Sequence, residues 1–341
     1  MKYLKKLPEP FELESECYIS ETEKKNRIRC LMEIKNIIEG NDERKIIIIG
    51  PCSADREDAV LEYVVKLAEL QEETQEKFLI IPRIYTGKPR TDGRGYKGLV
   101  HRPSADSKED NLIAGIKLMR NLHAKVIQES GLFAADELIY PELYRYLEDL
   151  LVYVAIGARS VEDQQHRLIA SGIDIPVGMK NPTSGNLSVM LNSITAAQSN
   201  QHIIFDGWEV ETEGNKYAHA ILRGYTDSSG NSVANYYYEN LCKLYDKYYR
   251  KNLQNPSVIV DCNHSNSDKK YNEQVRIAEN VFDSCRRNKS INKFVKGIMI
   301  ESYLRDGKQM IGEGLYGCSI TDPCLGWEKT EKLIRKLAWI I

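Results

Sequence analysis

The sequence predicts an α/β protein: a (β/α)8 TIM barrel with an N-terminal helical extension and a hairpin insertion after strand six. Three observations carry this. Short β-rich apolar runs alternate with amphipathic helical stretches eight times along the chain. The runs are almost continuously apolar, as parallel strands covered on both faces are, and lack the alternation of half-exposed strands. The turn after the first run, Gly50-Pro51-Cys52-Ser53-Ala54-Asp55, has no glycine-rich fingerprint of an open nucleotide-binding sheet.

Residues 1–44 precede the first strand and form the extension. They contain one helix, Thr22–Glu39, whose Leu31, Ile34, Ile37 and Ile38 make an apolar stripe, with Gly40 as its stop. The stripe predicts either a subunit contact or a plug for the bottom of the barrel. Residues 45–341 form the catalytic barrel. The predicted strands are Ile46–Ile49, Phe78–Ile81, Leu132–Ala135, Leu151–Ile156, Ile175–Met179, Ile203–Phe205, Val258–Val260 and Ile298–Ile300. After the first strand, Val60, Val64 and Leu67 share a helical face, with Asp55 as N-cap. The later helices are Leu112–Gln128, Tyr144–Leu150, Glu162–Ser171, Leu187–Ala197, Tyr236–Arg250, Glu273–Arg287 and Glu328–Ala338. Trp208–Gly224 reads as the hairpin, turning at Glu213-Gly214-Asn215.

Composition narrows the function. At 341 residues, the chain is long enough for one large barrel or two smaller domains. Lys+Arg 47 against Asp+Glu 49 leaves a net charge of -2, which argues against a nucleic-acid partner. No apolar run reaches the roughly 18 residues of a membrane span, and the start, MKYLKKLPEPFELE, has no apolar signal core. The eight Cys show no framework spacing, so free thiols and a cytoplasmic location are expected.

Active sites of such barrels gather at the C-terminal ends of the strands. Two classes of side chain recur there. Cys52, His264, Glu301 and Asp322 form a mixed S/N/O set that suits one borderline divalent ion: Mn, Fe, Co or Zn. Cys262 reads as a packed thiol, and Cys324, close to Asp322, is either a residue near the site or, the favoured reading, a packed thiol. Arg83, Lys88, Arg90, Arg159, Lys180 and Arg223 form the second class. Like charges gathered at one mouth repel unless anions neutralise them, and phosphate is the anion that best matches arginine forks and lysine point charges. In the run Lys88-Pro89-Arg90-Thr91, proline stiffens a compact anion grip. The chemistry is that of a metal-dependent enzyme acting on two phosphorylated small molecules.

The segments IIIIGPCS, PRIYTGKPRT, AADE, AIGARSVEDQQHR, PVGMKNPTSG, AHAILRG, DCNHSNS, GIMIESY and SITDPCLGW, in this order from about Arg44 onward, resemble the type I 3-deoxy-D-arabino-heptulosonate 7-phosphate (DAHP) synthases. The resemblance implies a cytoplasmic transferase that condenses phosphoenolpyruvate with D-erythrose 4-phosphate and water to DAHP and phosphate, the entry to the shikimate pathway. It implies metal ligands at Cys52, His264, Glu301 and Asp322. It also implies phosphoenolpyruvate contacts at Arg159, Ala158 and Arg223 for the phosphate and at Arg83 and Lys180 for the carboxylate. The sugar phosphate falls to Arg90 and Thr91, and the catalytic lysine is Lys88. Cys52 and His264 count among the catalytic groups, and Glu137 and His166 match positions at or near the site. The resemblance adds an aromatic amino acid as effector and a homodimer or homotetramer, with no nucleic-acid or membrane partner. The loop Lys88–Gly98 is one residue longer than the form KPRTTVGWKG, and Asp261-Cys262-Asn263-His264 replaces a D-F-S-H form. The rivals are a sister enzyme using arabinose 5-phosphate, whose acceptor loop differs from KPRT, and a catalytically silent phosphate-binding regulator.

Overall fold

The computed structural model describes residues 1–90, 95–107 and 109–341. Among them, the barrel forms from strands β1 (Lys45–Gly50), β2 (Phe78–Pro82), β3 (Ala135–Glu137), β4 (Tyr153–Ile156), β5 (Val177–Lys180), β8 (His219–Leu222), β11 (Val258–Asp261) and β12 (Val295–Glu301). All neighbours pair in parallel, in the order β2-β1-β12-β11-β8-β5-β4-β3. The ring closes between its two ends. Arg83 bridges Ala135, the Ile84 amide donates to the Ala135 carbonyl at 2.9 Å, and Asp136 accepts from the Thr86 amide at 3.0 Å. Every residue of β1, β11 and β12 is buried, which is why these strands read as unbroken apolar runs.

The helices cover the outside of the ring: α3 (Glu57–Thr74), α4 (Leu112–Ser130), α5 (Gln164–Ala170), α6 (Leu187–Gln198), α7 (Tyr238–Arg250), α8 (Glu273–Arg287), α9 (Lys289–Phe294) and α10 (Trp327–Ile340). The third crossover has a 3-10 turn, Pro141–Tyr146, where the sequence predicts a helix from Tyr144 to Leu150. Asp55 does not cap α3. Arg56 occupies that position without a side-chain cap, and buried Asp55 accepts from the Tyr303 hydroxyl at 3.1 Å. β3 is also shorter than its apolar run, because laddering to β4 starts only at the Ala135–Tyr153 pair.

Two helices precede the ring, α1 (Pro10–Glu16) and α2 (Glu21–Glu39). The second starts at a capping box, in which Ser20 Oγ accepts from the Glu23 amide at 3.2 Å, and it stops at Gly40 with φ 86°. It lies across the N-terminal face of the ring. Arg27 Nε donates to the Leu151 carbonyl at 2.9 Å ahead of β4, Ser257 Oγ donates to the Ile38 carbonyl ahead of β11, and Tyr217 Oη donates to Glu39 at 2.8 Å ahead of β8. Ile34, Ile37 and Ile38 are buried there.

The hairpin falls differently from the prediction. Its strands are β6 (Gln201–Phe205) and β7 (Trp208–Thr212), paired antiparallel. Asp206 and Gly207 form the turn, with φ 54° and 73°, the left-handed pair a two-residue hairpin needs. The run Ile203–Phe205 is therefore not a barrel strand. His219–Leu222 is the sixth barrel strand, buried throughout and seated between β5 and β11. The hairpin thus precedes the sixth strand. A second, shorter pair, β9 (Tyr225–Thr226) and β10 (Ser232–Val233), follows it at the mouth.

His219 is sealed between the strands. Its Nε2 lies 2.7 Å from the Tyr153 hydroxyl and its Nδ1 2.8 Å from the Tyr217 carbonyl, an arrangement that a neutral ring protonated at Nδ1 satisfies completely. Burial lowers its pKa to about 4 from 6.5. The unfolded chain therefore binds this proton first as pH falls. The stabilisation is complete above pH 6.5 and is lost between pH 6.5 and 4. Urea unfolding should show His219→Gln losing less stability than the parent chain across this window, by on the order of 3 kcal/mol.

Candidate active site

The ends of β1 and β12 and the loop after β12 bring three donors together. Cys52 Sγ, Glu301 and Asp322 carboxylate oxygens all lie within 4.8 Å of one another. His264 Nε2 lies 3.7 Å from Glu301 Oε1, so the four predicted ligands converge although they are distant in sequence. His264 adopts φ 54°, a strained left-handed conformation that the tight turn after β11 imposes. Its Nδ1 sits 2.9 Å from Asp261 Oδ2 without hydrogen-bond alignment. A sulfur, an imidazole and two carboxylates this close, mostly buried, fit a borderline divalent ion.

The charges around the set are balanced from within. Lys88 Nζ donates to Cys52 Sγ at 2.7 Å and lies 4.0 Å from Asp322. Burial pushes the Cys52 thiol up to about 11, with Glu301 adding to the effect. Burial alone would raise Asp322, but the charges of Lys88, His264 and Lys269 hold it well below the usual carboxylate range. Asp261 is likewise held low against its burial by His264 and Lys180.

Above the donors opens a cavity of about 340 Å³ lined by Lys88, Arg90, Glu137, Ala158, Arg159, Lys180 and Arg223, together with His264 and Asp322. Among the described residues, neither the Arg159 nor the Arg223 guanidinium meets a carboxylate or any other hydrogen-bond acceptor; burial lowers the Arg223 pKa and the neighbouring Arg159 charge lowers it further. Lys180 is 3.4 Å from Asp261. Arg90 Nε donates to the Tyr96 carbonyl at 2.7 Å. Thr91 lies outside the described residues. Arg83 does not line the cavity. It sits one layer below, fully buried, with Nη2 donating to Glu301 Oε1 at 3.0 Å, Nη1 donating to the Pro51 carbonyl, and its plane 3.7 Å over the Tyr85 ring. His166 also stands aside. Its Nδ1 lies 2.6 Å from the helix-capping Asp163, and its Nε2 faces the Leu138 and Ile139 carbonyls at 3.1 Å, which ties α5 to the end of β3.

Several supporting residues escape sequence reasoning. Asn263 Nδ2 donates to Glu301 Oε2 at 2.5 Å and is itself held by Ser267 at 2.7 Å. Gln274 brackets the Glu301 backbone, accepting from its amide at 2.8 Å and donating to its carbonyl at 2.9 Å. Asn181 accepts from the Arg223 amide at 3.0 Å and from Asn235 at 3.1 Å, locking the Arg223 loop. Cys324 accepts from the Cys52 amide at 3.3 Å and so fastens the Asp322 loop to β1. The available signal was a buried polar residue beside each predicted ligand. It has no periodicity to stand out by.

An enzyme of the phosphate-handling barrel class is what such a mouth makes: anions enter to be neutralised, and donors for a divalent ion wait below. Comparison with known proteins narrows the class. The family model of the DAHP synthetase I family matches residues 18–335. Escherichia coli (strain K12) has a Tyr-sensitive phospho-2-dehydro-3-deoxyheptonate aldolase 35% identical over 337 residues, covering 96% of this chain and 89% of that one. Its Phe-sensitive counterpart is 36% identical over 313 residues, covering 89% and 86%. The solved phospho-2-dehydro-3-deoxyheptonate aldolase of Francisella tularensis SCHU S4 superimposes with a TM-score of 0.91 at 32% identity, covering 99% of this chain and 98% of that one. The chain belongs to the DAHP synthetase I family, transferases that carry out the first step of aromatic biosynthesis.

The Asn263 clamp is testable without turnover. Asn263→Ala should weaken binding of Mn²⁺ or Zn²⁺ to the chain on the order of tenfold to a hundredfold in equilibrium dialysis, the usual consequence of freeing a ligand's outer partner. Unchanged binding would show that Arg83 and Gln274 suffice to hold Glu301.

Proposed function

We propose that the mouth condenses phosphoenolpyruvate with D-erythrose 4-phosphate, with one divalent ion held by Cys52, His264, Glu301 and Asp322. One observation carries the reading: Arg159 and Arg223 line one cavity without an acid partner among the described residues, directly above that donor set. Two unneutralised guanidiniums in one cavity call for a phosphate. When bound, the ion supplies Lewis-acid polarisation of a carbonyl or of water.

Arg159, Arg223 and the Ala158 backbone grip the phosphate of phosphoenolpyruvate, while Lys180 faces its carboxylate. Arg83 supports this arrangement from below by holding Glu301. Arg90, with Thr91, takes the phosphate of the sugar. Placing two anions in contact is positioning and electrostatic work, which the cations perform. C3 of phosphoenolpyruvate then bonds to the aldehyde carbon, and Lys88 Nζ gives a proton to the growing alkoxide. Water adds at C2 and loses its proton. The C2–O bond to phosphate breaks, releasing inorganic phosphate and leaving the C2 ketone of DAHP.

Residues 1–44 act as an interface or regulatory extension to the catalytic barrel of residues 45–341. The exposed Ile28 and Met32 on the outer face of α2 support assembly as a homodimer or homotetramer. The Tyr- and Phe-sensitive names of relatives support an aromatic amino acid effector. No described helix is long and apolar enough to cross a membrane, and all eight cysteines are free, in keeping with a cytoplasmic enzyme.

A coupled assay of phosphate release tests the reading. Release should occur with erythrose 4-phosphate, fall to background with chelator, and be negligible with arabinose 5-phosphate. Ligand binding without release would favour the silent regulator. Arg90→Ala should raise KM for the sugar phosphate far more than for phosphoenolpyruvate, with a loss of about 2–5 kcal/mol in transition-state stabilisation. An equal rise for both substrates would remove Arg90 from the acceptor side.

A further inference from the structure

The opposite end of the barrel holds a second concentration of positive charge. A cavity of about 390 Å³ lies between the end of α2, the starts of β1 and β12, and α9, lined by the cations Arg44, Lys45, Lys289, Lys293 and Lys296 and by the acids Asp42 and Glu43. Lys296 on β12 is only 7% exposed, yet its ammonium has no hydrogen bond or ion pair among the described residues. It stands close to the cap of α2: a side chain begun at Gly40 would meet Lys296 Nζ at 3.7 Å. Lys45, also buried, is better satisfied, donating to the carbonyls of Asn292 at 2.6 Å and Val295 at 2.8 Å, but it has no carboxylate partner. The nearby acids do not neutralise the pair. Asp42 is engaged by Arg44 at 2.7 Å, and Glu43, exposed at the cavity edge, makes no ion pair among the described residues.

The Lys296 stem is buried and its ammonium opens into this cavity without a protein acceptor among the described residues, while the other cations of the lining repel it. Burial, then the charges of Lys45 and Lys293, lower Lys296 to about 8. We propose that this cavity is an anion site for a phosphate group, whose oxygens would bind Lys296 and the exposed Lys293 and tie α2 to β12 and α9. A tetrahedral dianion suits a cavity lined by several lysines better than a planar carboxylate, because lysine contacts are point charges without a fixed fork. The phosphate can be inorganic or carried by a phosphomonoester, and the barrel core separates this site from the catalytic mouth.

Isothermal titration of the full chain at constant ionic strength, with inorganic phosphate and separately with glycerol 3-phosphate, tests the site. The Arg159→Ala background weakens the phosphoenolpyruvate grip at the mouth, and because the Arg90 grip is intact there, the share of binding that belongs to the second site is read from the Lys296 and Lys293 variants. In that background, binding should persist, and adding Lys296→Met should weaken it at least about tenfold, the loss expected for one charge-assisted contact. Lys293→Gln, at an exposed position that does not threaten folding, should weaken it in the same direction and covers the case in which Lys296→Met fails to fold. Lys296→Met alone should leave kcat/KM unchanged. The tighter of the two ligands identifies the source of the phosphate. Binding of both ligands unaltered by Lys293→Gln and Lys296→Met, or no binding left in the Arg159→Ala background, would overturn the proposal.

Discussion

Glu301 is the node on which the site depends. Its carboxylate is fully buried and would be untenable alone, since an unpaired charge in the protein interior costs several kcal/mol. It is held by Arg83 at 3.0 Å on one oxygen and Asn263 at 2.5 Å on the other, with Gln274 on its backbone. That over-determination places one carboxylate oxygen within reach of Cys52, Asp322 and His264. The same ion pair holds Arg83 below the cavity as the counter-charge of Glu301.

The arrangement separates two electrostatic layers. Below, Glu301, Asp322 and Asp261 are met by Arg83, Lys88, Lys269 and Lys180, and Lys88 sits at the boundary with its ammonium on the Cys52 sulfur. Above, Arg159 and Arg223 face the cavity without described partners. The closed ring makes this layering possible. Eight parallel strands end at one opening, so residues remote in sequence meet at a single depth, while hydrogen bonding around the ring keeps each strand end from drifting. The Asp136 link to Thr86 and the Asn181–Asn235 pair perform that task where the loops after β2, β5 and β8 leave the rim. Unneutralised charge at both ends of the barrel is tolerated because the buried apolar ring between them carries the stability.

Much of this was legible before any coordinates. The apolar runs of β1, β2, β11 and β12 give the parallel ring, since only strands covered on both faces lose the polar alternation. Gly40 marks the end of α2, and the start read at Thr22 falls one residue inside the observed Glu21. The placing of the hairpin was not legible from hydrophobicity, because Ile203–Phe205 and His219–Leu222 are both short and apolar. Asp206-Gly207 was the stronger signal, and it marks the turn that removes the former run from the barrel. Asp55 shows the same limit: as a capping residue type it fits the start of α3, yet Tyr303, 248 residues away, claims it.

Sequence by itself determined the repeating unit, the residue types at each strand end and hence the chemistry gathered at one mouth, because these depend on local periodicity and on side-chain inventory. Tertiary structure alone decided which cations meet an acid and which line the cavity without one among the described residues, that Arg83 lies below the cavity and His166 to its side, and that Asn263 and Gln274 hold Glu301. Those assignments turn on distances of a few ångströms between strands, and no local pattern encodes them.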